Sequence, residues 1–258
     1  MSHFHSEGDS GVSAPGLILF VHGYMDGAEV WRRTIERLSL PGWLTEAVSL
    51  APANTPLASS GELLESYAKQ ALEHAEQVSM LGSRVIIVGH SMGGQIAELL
   101  ATRLAARVAG LVLVIPAPLG GTTLPSPVMS RFESRIGLTD VDEIKAGKRS
   151  LAVALDEEAQ DILARTTMAT KSYASFEQLR AWTGGHLAGR AASKVAAPLL
   201  MIATEDKFFT ADMLAQEATR FRTFSVEKIG AAGHWPQLEQ PEALAHLITR
   251  FVQSLPQG

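Results

Sequence analysis

The residues with the clearest chemical potential surround Ser91. Segment 89–93 reads Gly-His-Ser-Met-Gly and lies between four β-branched residues, 85–88, and a helical pattern that follows at once. A serine in a G-x-S-x-G sequence between a strand and a helix occupies a sharp, strained turn that exposes its hydroxyl. Glycine at positions 89 and 93 avoids the collisions that side chains would cause there. The pattern predicts that Ser91 is a nucleophile at the carboxyl end of a buried strand, where open α/β sheets place their reactive groups.

His234 is the predicted general base for this serine. A serine hydroxyl is a poor nucleophile at neutral pH and needs a base within hydrogen-bond reach, and the pKa of histidine suits that role. His234 follows the last predicted strand in a glycine-rich loop, so the backbone can direct its side chain toward the strand ends. The other histidines fit tight turns, helices, a helical insertion or the chain terminus: His3, His5, His22, His74, His90, His186 and His246.

Asp206 is the predicted acid that orients the histidine. It follows another predicted strand and lies between Ser91 and His234 in the chain, which gives the order serine, acid, histidine. Its carboxylate would fix the imidazole tautomer and stabilise the imidazolium without accepting the proton itself. Other acids could take this role: Glu205 beside it, Glu239, or Asp140 and Asp142 after the preceding strand.

Two backbone amides are predicted to stabilise negative charge on a substrate oxygen. Such a site needs two donors directed at the developing charge. The amide of Met92, at the N-terminus of the helix after Ser91, is one of them. The second should come from the loop after the first strand, and we select the Tyr24 amide because Gly23 allows the backbone to approach closely.

The elements that position these residues predict an α/β fold. Apolar or alternating segments predict six strands, at 17–21, 45–50, 85–88, 111–115, 198–203 and 224–229. Strands that alternate with helices form a parallel sheet through right-handed crossovers. The strand count predicts an open, mostly parallel, doubly wound sheet rather than a closed barrel, which would need two more β/α units.

Residues 117–195 contain no strand pattern and four amphipathic helical pieces, near 127–135, 141–146, 157–168 and 173–182. We therefore predict a helical cap inserted after the fourth strand and placed over the active site. The α/β core then comprises residues 17–116 and 196–258. Residues 1–16 are predicted to form a disordered N-terminal segment.

The side chains predicted to bind substrate are mainly apolar. Large cap residues at helical spacing most simply belong to the core of the cap, with one or two available to line an apolar pocket. Tyr24 and Met25 are predicted to form a wall beside the charge-stabilising amides. The predicted substrate-binding set is Met25, Met129, Phe132, Tyr173, Phe176, Trp182 and Trp235.

Composition restricts the class of the protein. The chain has 258 residues, which suits one sizeable α/β domain, and its formal net charge of -5 without a basic run argues against nucleic-acid binding. The absence of cysteine excludes disulfides and thiolate chemistry. The run 17–21 is too short to span a membrane and residues 1–10 lack signal-peptide features, so we predict a cytoplasmic protein without membrane partners. The chemistry requires no metal or cofactor, and the oligomeric state stays open.

From about residue 17 to 255 the chain resembles serine hydrolases of the α/β-hydrolase fold. The resemblance rests on four motifs in order: HGYMDGAEVW, VGHSMGG, ATEDKFF and GAAGHWPQLEQPEAL. The first and third are similar to the plant methylesterase and hydroxynitrile lyase branch, and the last is similar to bacterial esterases and haloperoxidases. Two features depart from the family pattern. Only sixteen residues precede Leu17, so we expect the first two of the family's usual eight strands to be missing, and residues 50–54 lack the usual Asp and glycines.

The resemblance implies hydrolysis of a small or medium, largely apolar carboxylic ester or lactone through an acyl-enzyme. His90 beside the nucleophile is usual in family esterases, whereas C–C bond hydrolases more often have Asn there. The open alternatives are a hydroxynitrile lyase, an amidase, a C–C bond hydrolase, a perhydrolase and a non-catalytic ligand receptor. Plant-type lyases tend to use a lysine near the pocket, for which Lys145, Lys148 and Lys171 are the candidates.

Overall fold

The computed structural model describes residues 16–52, 59–79 and 83–256. Residues 1–15 of the predicted disordered segment lie outside these ranges, and Gly16 already belongs to the first strand. Residues 53–58 of the loop after the second strand also lie outside them. In the described ranges, no helix combines the length and the apolar character needed to cross a membrane.

Six parallel strands form one open sheet in the order β2-β1-β3-β4-β5-β6. The central strands β1 and β3 are buried at every position, because helices cover both faces of the sheet. This arrangement confirms the predicted fold class. The strands are β1 (Gly16–Val21), β2 (Trp43–Val48), β3 (Val85–His90), β4 (Val108–Val114), β5 (Leu199–Ala203) and β6 (Phe224–Lys228).

Ten α-helices lie in the described part of the chain. Two of them are single turns: α1, which directly follows the 3-10 turn Ala28–Trp31, and the four-residue α9. The helices are α1 (Arg32–Ile35), α2 (Ser60–Val78), α3 (Met92–Leu104), α4 (Ser126–Glu133), α5 (Val141–Arg149), α6 (Glu157–Ala169), α7 (Ser172–Gly184), α8 (Ala211–Ala218), α9 (Pro236–Glu239) and α10 (Pro241–Ser254).

Helices α4–α7 form the helical insertion between β4 and β5. Apolar side chains of α6 and α7, including Ile162, Leu163 and Trp182, belong to the same buried cluster as the side chains of the sheet. The insertion therefore packs on the α/β layers through a shared core. The cap boundaries at 117 and 195 stay predictions.

Candidate active site

Ser91 occupies the turn between β3 and α3. Its backbone has φ 53° and ψ -122°, a conformation that is strained for any residue except glycine. Its N–H donates to the carbonyl of Val114 at 3.1 Å, and its own carbonyl accepts the N–H of Ala117 at 3.0 Å. These bonds to β4 and the segment after it hold the serine in the strained turn.

Gly89 and Gly93 make this turn sterically possible. A Cβ on Gly93 would lie 2.3 Å from the carbonyl oxygen of Val21, and a Cβ on Gly89 would lie 2.4 Å from that of Gly93. Both distances are far below van der Waals contact with backbone atoms that cannot move aside. The glycines therefore let α3 begin directly against the end of β1, as the sequence pattern indicates.

Asp206 and His234 meet beyond the carboxyl ends of β5 and β6. The Nδ1–H of His234 donates to Oδ2 of Asp206 at 2.6 Å. The other oxygen of Asp206 accepts the backbone N–H groups of Phe208 at 2.7 Å and Phe209 at 2.6 Å. Both carboxylate oxygens are thus occupied, and the imidazole presents its Nε2 away from the acid.

Opposing effects act on the pKa of Asp206. Burial alone would raise that pKa, but the nearby charge of His234 and the hydrogen bonds from His234, Phe209 and Phe208 outweigh burial and hold it below its ordinary value. Asp206 is therefore ionised near neutral pH. A fixed negative charge beside Nδ1 is what an orienting acid requires.

His90, next to Ser91, is buried and neutral. Burial and the neighbouring His234 lower its pKa to about 3. Its Nε2–H donates to the backbone carbonyl of His234 at 2.6 Å. His90 thus supports the loop that carries His234. His22 is also buried, and its Nε2 accepts the backbone N–H of Leu50 at 3.1 Å, so both histidines have the structural positions that the sequence suggested.

The loop after β1, which contains Tyr24, passes close to Ser91. A Cβ on Gly23 would lie 3.1 Å from Cβ of Ser91, so the glycine allows this close approach. In the described chain, neither the Tyr24 amide nor the Met92 amide donates a hydrogen bond to another protein group. Met25 has φ 55°, and its N–H donates to Oε1 of Gln178 on α7 at 2.9 Å. The insertion therefore helps to fix the loop.

Ser91 and His234 line one cavity of about 90 Å³ between the sheet and the insertion. A single water needs roughly 10–15 Å³ of such space, so the cavity accommodates a small organic group. The structure brings four residues of the predicted substrate-binding set to its wall, together with Tyr24, the residue predicted to form a wall beside the charge-stabilising amides. The lining is mostly apolar and aromatic, with Met25, Phe132, Trp182 and Trp235 from the set and Tyr24, Leu138, Ile144, Leu151, Phe208 and Phe209 in addition.

Three residues of the predicted set do not line this cavity. Tyr173 and Phe176 lie on the outer face of α7 and are each 47% exposed, whereas Trp182 lies on its buried face. Met129 packs against the core from α4. Helical spacing predicts which residues share a face but not which face meets the cavity. Asp206 and Met92 also lie outside the cavity lining. Their predicted roles do not require them to line it, because Asp206 acts on His234 and Met92 acts through its backbone amide.

Sequence reasoning missed an ion pair that links Lys148 in the cavity wall to the buried Asp26 behind it. Lys148 on α5 lies 3.2 Å from Oδ1 of Asp26, and the indole N–H of Trp235 donates to Oδ2 of Asp26 at 3.1 Å. The ammonium of Lys148 also lies 4.9 Å from the centre of the Trp235 ring. Asp26 lies within the HGYMDG motif and Trp235 lies beside His234, so the motifs indicated that these two residues are near the site. Nothing in the motifs indicated that a lysine pairs with Asp26.

Glu239 holds the histidine loop in place. Its Oε1 accepts the backbone N–H groups of Gly233 at 3.0 Å and Trp235 at 3.1 Å, and its Oε2 accepts those of Val153 at 2.7 Å and Ala154 at 2.9 Å. The sequence suggested Glu239 as a possible acid for the base. The structure places it on the backbone on both sides of His234 instead. Among the described residues, no group of three His, Asp or Glu side chains is arranged to hold a metal ion.

Comparison with known proteins matches residues 18–247 to the Alpha/beta hydrolase family. Methylesterase 7 of Arabidopsis thaliana is 35% identical over 98 residues, which cover 37% of this chain and 38% of that protein. Probable esterase PIR7A of Oryza sativa subsp. indica is 34% identical over 98 residues, which cover 37% of each protein. These aligned segments span well under half of the plant proteins.

The solved structure of the esterase EaEST from Exiguobacterium antarcticum has a TM-score of 0.79 with this chain, at 16% identity, over 94% of both chains. At that identity the likeness shows the fold alone. The family match, by contrast, covers most of the sequence, including the segments that contain Ser91, Asp206 and His234. The chain therefore belongs to the alpha/beta hydrolase family.

Proposed function

We propose that the protein hydrolyses a small or medium carboxylic ester or lactone, with Ser91 as nucleophile, His234 as base and Asp206 as orienting acid. The observation that carries the proposal is the 2.6 Å hydrogen bond between His234 and Asp206, beside a cavity that Ser91 and His234 both line. The esterase names of the plant relatives support the same reaction class.

In the proposed mechanism, the hydroxyl of Ser91 attacks the substrate carbonyl while Nε2 of His234 accepts its proton. The amides of Tyr24 and Met92 donate to the resulting oxyanion, and each donor of this kind contributes about 2.7–4 kcal/mol. The intermediate collapses to an acyl-enzyme, and His234 returns the proton to the departing alcohol. Water, activated by His234, then releases the acid and restores Ser91.

The size and lining of the cavity support a small, mainly apolar acyl or alcohol group. Aromatic rings of Phe132, Phe208 and Phe209 surround the space beside His234. An amidase, a C–C bond hydrolase, a perhydrolase and a ligand receptor stay as alternatives from the sequence. The cytoplasmic location and the lack of nucleic-acid partners also stay sequence predictions.

One observation favours a second candidate, a hydroxynitrile lyase. Lys148 lies in the cavity wall, whereas Lys145 pairs with Asp161 on α6. A pocket lysine fits the lyase alternative. The Lys148 ammonium, however, is occupied by Asp26 and the Trp235 ring, which favours a role in holding the wall together.

The test is fluorophosphonate labelling, read by intact mass, together with turnover of p-nitrophenyl esters of increasing chain length. We expect one adduct on the wild type, none on Ser91→Ala, and a loss of roughly 10⁶-fold in kcat for the variant. Ser83→Ala is the matched control, because Ser83 is also buried but lies outside the cavity. An adduct without ester turnover would favour a lyase, a C–C bond hydrolase or a receptor. No adduct would refute the assignment of Ser91.

A further inference from the structure

One cation in the cavity wall has no protein partner among the described residues. Arg135 lies in the connection between α4 and α5 and lines the cavity that contains Ser91 and His234. It is half-buried, and its side chain makes no hydrogen bond or ion pair with another described residue. The other lysine or arginine of the lining, Lys148, is already neutralised by Asp26. The proposed mechanism does not use the charge of Arg135.

Gly147 shows where the guanidinium of Arg135 lies. A Cβ on Gly147 would be 2.3 Å from Nη1, 2.7 Å from Cζ and 3.1 Å from Nη2 of Arg135. The guanidinium therefore occupies the space into which a side chain at position 147 would project. Gly147 lines the cavity together with Glu143, Ile144 and Lys148, which share one face of α5. The charged group of Arg135, and not only its aliphatic stem, thus lies on the cavity face of this helix.

The glycine at position 147 is explained by this contact. It lies within α5, where glycine is less favourable than alanine. Its φ is not in the left-handed region, so the backbone conformation itself does not require glycine. The missing side chain is what lets the guanidinium of Arg135 rest against the helix. An arginine held in this way loses less conformational freedom on binding a ligand than one that extends into solvent.

We propose, building on the ester hydrolase function above, that the substrate carries a carboxylate in addition to its ester group and that Arg135 binds this carboxylate. A guanidinium presents parallel N–H donors that match the two oxygens of a carboxylate. One unpaired cation balances one negative charge, which favours a carboxylate over a phosphate dianion. The aromatic and aliphatic side chains of the cavity then enclose the hydrocarbon chain between the two groups. This class is narrower than a wholly apolar ester.

Glu143 is the one acidic residue of the described lining. It is exposed, and it forms no ion pair with Arg135 or another described residue. Water and salt therefore screen its charge more than they screen that of the half-buried guanidinium. Glu143 leaves the donors of Arg135 open to a ligand, and its removal should preserve or increase the affinity of the cavity for an anion.

Matched pairs of esters test the proposal. The first series compares the p-nitrophenyl monoesters of adipic, pimelic and suberic acid with the p-nitrophenyl esters of the corresponding monoamides, so that each pair has one shape and differs in charge. A second series places the charge on the alcohol side, with butanoate esters of 4-hydroxybutanoate and 6-hydroxyhexanoate against those of their amides. The charge preference is the kcat/KM of the anionic ester divided by that of its amide near neutral pH. Comparing this ratio between variants cancels the intrinsic reactivity of the esters.

Arg135→Gln removes the charge and keeps a polar side chain. We expect the wild type to favour the anionic ester in at least one pair, and Arg135→Gln to lower that preference roughly tenfold, the lower end for a hydrogen bond to a charged group because Arg135 is only half-buried. Gly147→Ala should also lower the preference, because the new methyl group displaces the guanidinium. Glu143→Gln should keep or raise it. Arg131→Gln is the matched control, since Arg131 lies on α4, is exposed and is absent from the cavity lining, yet its loss changes the net charge equally.

Binding separates this proposal from the proposed function. Ser91→Ala, alone and combined with Arg135→Gln or Arg131→Gln, is titrated with the same ester pairs. Tryptophan quenching by the nitrophenyl group reports Kd for the first series, and the esters of the second series displace that probe. A preference in Kd that Arg135→Gln removes and Arg131→Gln keeps, without any turnover by the wild type, would uphold the carboxylate site and overturn the esterase assignment.

Other outcomes would overturn the carboxylate site alone. Ester turnover without a charge preference in any pair would show that no anion is bound, and equal losses in Arg135→Gln and Arg131→Gln would show only a long-range effect of net charge. An undiminished preference in Gly147→Ala would mean that the guanidinium does not act from its place against α5. A lower preference in Glu143→Gln would make Glu143, and not a ligand, the partner of Arg135.

Discussion

His234 is fixed through its ring and through its backbone. The ring donates to Asp206 at 2.6 Å, the backbone N–H donates to the carbonyl of Leu151 at 3.0 Å, and the backbone carbonyl accepts from His90 at 2.6 Å. The three partners come from three separate segments of the chain. A base positioned in this way can transfer protons without first reorganising, which lowers the barrier of the proposed reaction.

Replacing Asp206, the proposed orienting acid, is expected to disturb the tautomer of His234. Asp206→Asn keeps one oxygen for the amides of Phe208 and Phe209 but places an NH₂ donor opposite Nδ1 of His234. The imidazole then favours the wrong tautomer, and we expect kcat to fall on the order of 10⁴-fold. Ester kinetics measure this loss. Glu205→Gln, at the adjacent position, should stay close to wild type, and a larger loss there would mean that Glu205 is the orienting acid.

Asp206 also makes stability depend on pH. Its pKa in the folded protein lies below the ordinary value, because the charge and hydrogen bonds of its neighbours outweigh burial. The stabilisation is therefore complete above the unfolded pKa of about 3.9 and is lost as pH falls through the lower folded pKa. Urea unfolding of wild type and Asp206→Asn between about pH 6 and pH 3 should show the wild-type contribution shrinking as pH falls. A difference that stays constant would contradict this account.

Glu239 is expected to act on His234 through the backbone. Glu239→Gln replaces one of the two acceptor oxygens by a donor, which opposes the amides of Gly233 and Trp235 or those of Val153 and Ala154. We expect a loss of about 1–3 kcal/mol in unfolding free energy and a lower kcat, because the loop that carries the base loses its anchor.

Urea unfolding and ester kinetics measure these two effects. Glu242→Gln is the matched control, since Glu242 lies only three residues further on but pairs with Arg37 at an exposed surface position. Exposed ion pairs contribute at most about 1 kcal/mol, so this variant should change little. Equal effects of the two substitutions would mean that Glu239 is merely another surface acid.

At the scale of elements, the pair Asp26–Lys148 joins the loop after β1 to α5. The side chain of Asp26 is 2% exposed and that of Lys148 is 14% exposed, so removing either partner leaves a largely buried charge. Such a loss costs about 3–5 kcal/mol, whereas the double variant loses both charges together. We therefore expect Asp26→Asn and Lys148→Met each to lower the unfolding free energy strongly. The double variant should lose less unfolding free energy than the sum of the two single losses.

A double-mutant cycle from urea unfolding measures this coupling. The same cycle on Glu29 and Arg165, an exposed ion pair at 2.6 Å, provides the control and should give at most about 1 kcal/mol. A coupling between Asp26 and Lys148 as small as that of the surface pair would show that water screens the buried pair. The loop and α5 would then be held together by other contacts.

The same pair shows where prediction from the sequence ends. Ser91, Asp206 and His234 each follow a strand, and the carboxyl ends of parallel strands share one edge of the sheet, so their proximity could be predicted. Asp26 and Lys148 are 122 residues apart, and their contact depends on how α5 packs over the loop. Sequence periodicity fixes neither that docking nor the orientation of α7, which decides that Trp182 rather than Tyr173 lines the cavity.

At the scale of the whole molecule, the insertion supports the proposed site as well as covering it. Gln178 and Thr167 bond to the backbone of Met25, beside the Tyr24 amide, at 2.9 Å and 3.4 Å. Lys148 binds Asp26 in the same loop. Apolar residues of α6 and α7 also share one buried cluster with the sheet. We therefore expect the loop to lose its conformation if the insertion detaches.

This coupling predicts that α5–α7 and the sheet unfold together. A shared core and shared polar contacts favour a single cooperative transition. Hydrogen exchange by mass spectrometry in increasing urea should give peptides from α6, α7 and β3 the same midpoint. Helix α4, which buries none of its residues, should exchange earlier and serves as the internal reference. A lower midpoint shared by α5–α7 would instead make residues 117–195 an independent cooperative unit, and the loop that carries Tyr24 would then lose its order before the sheet does.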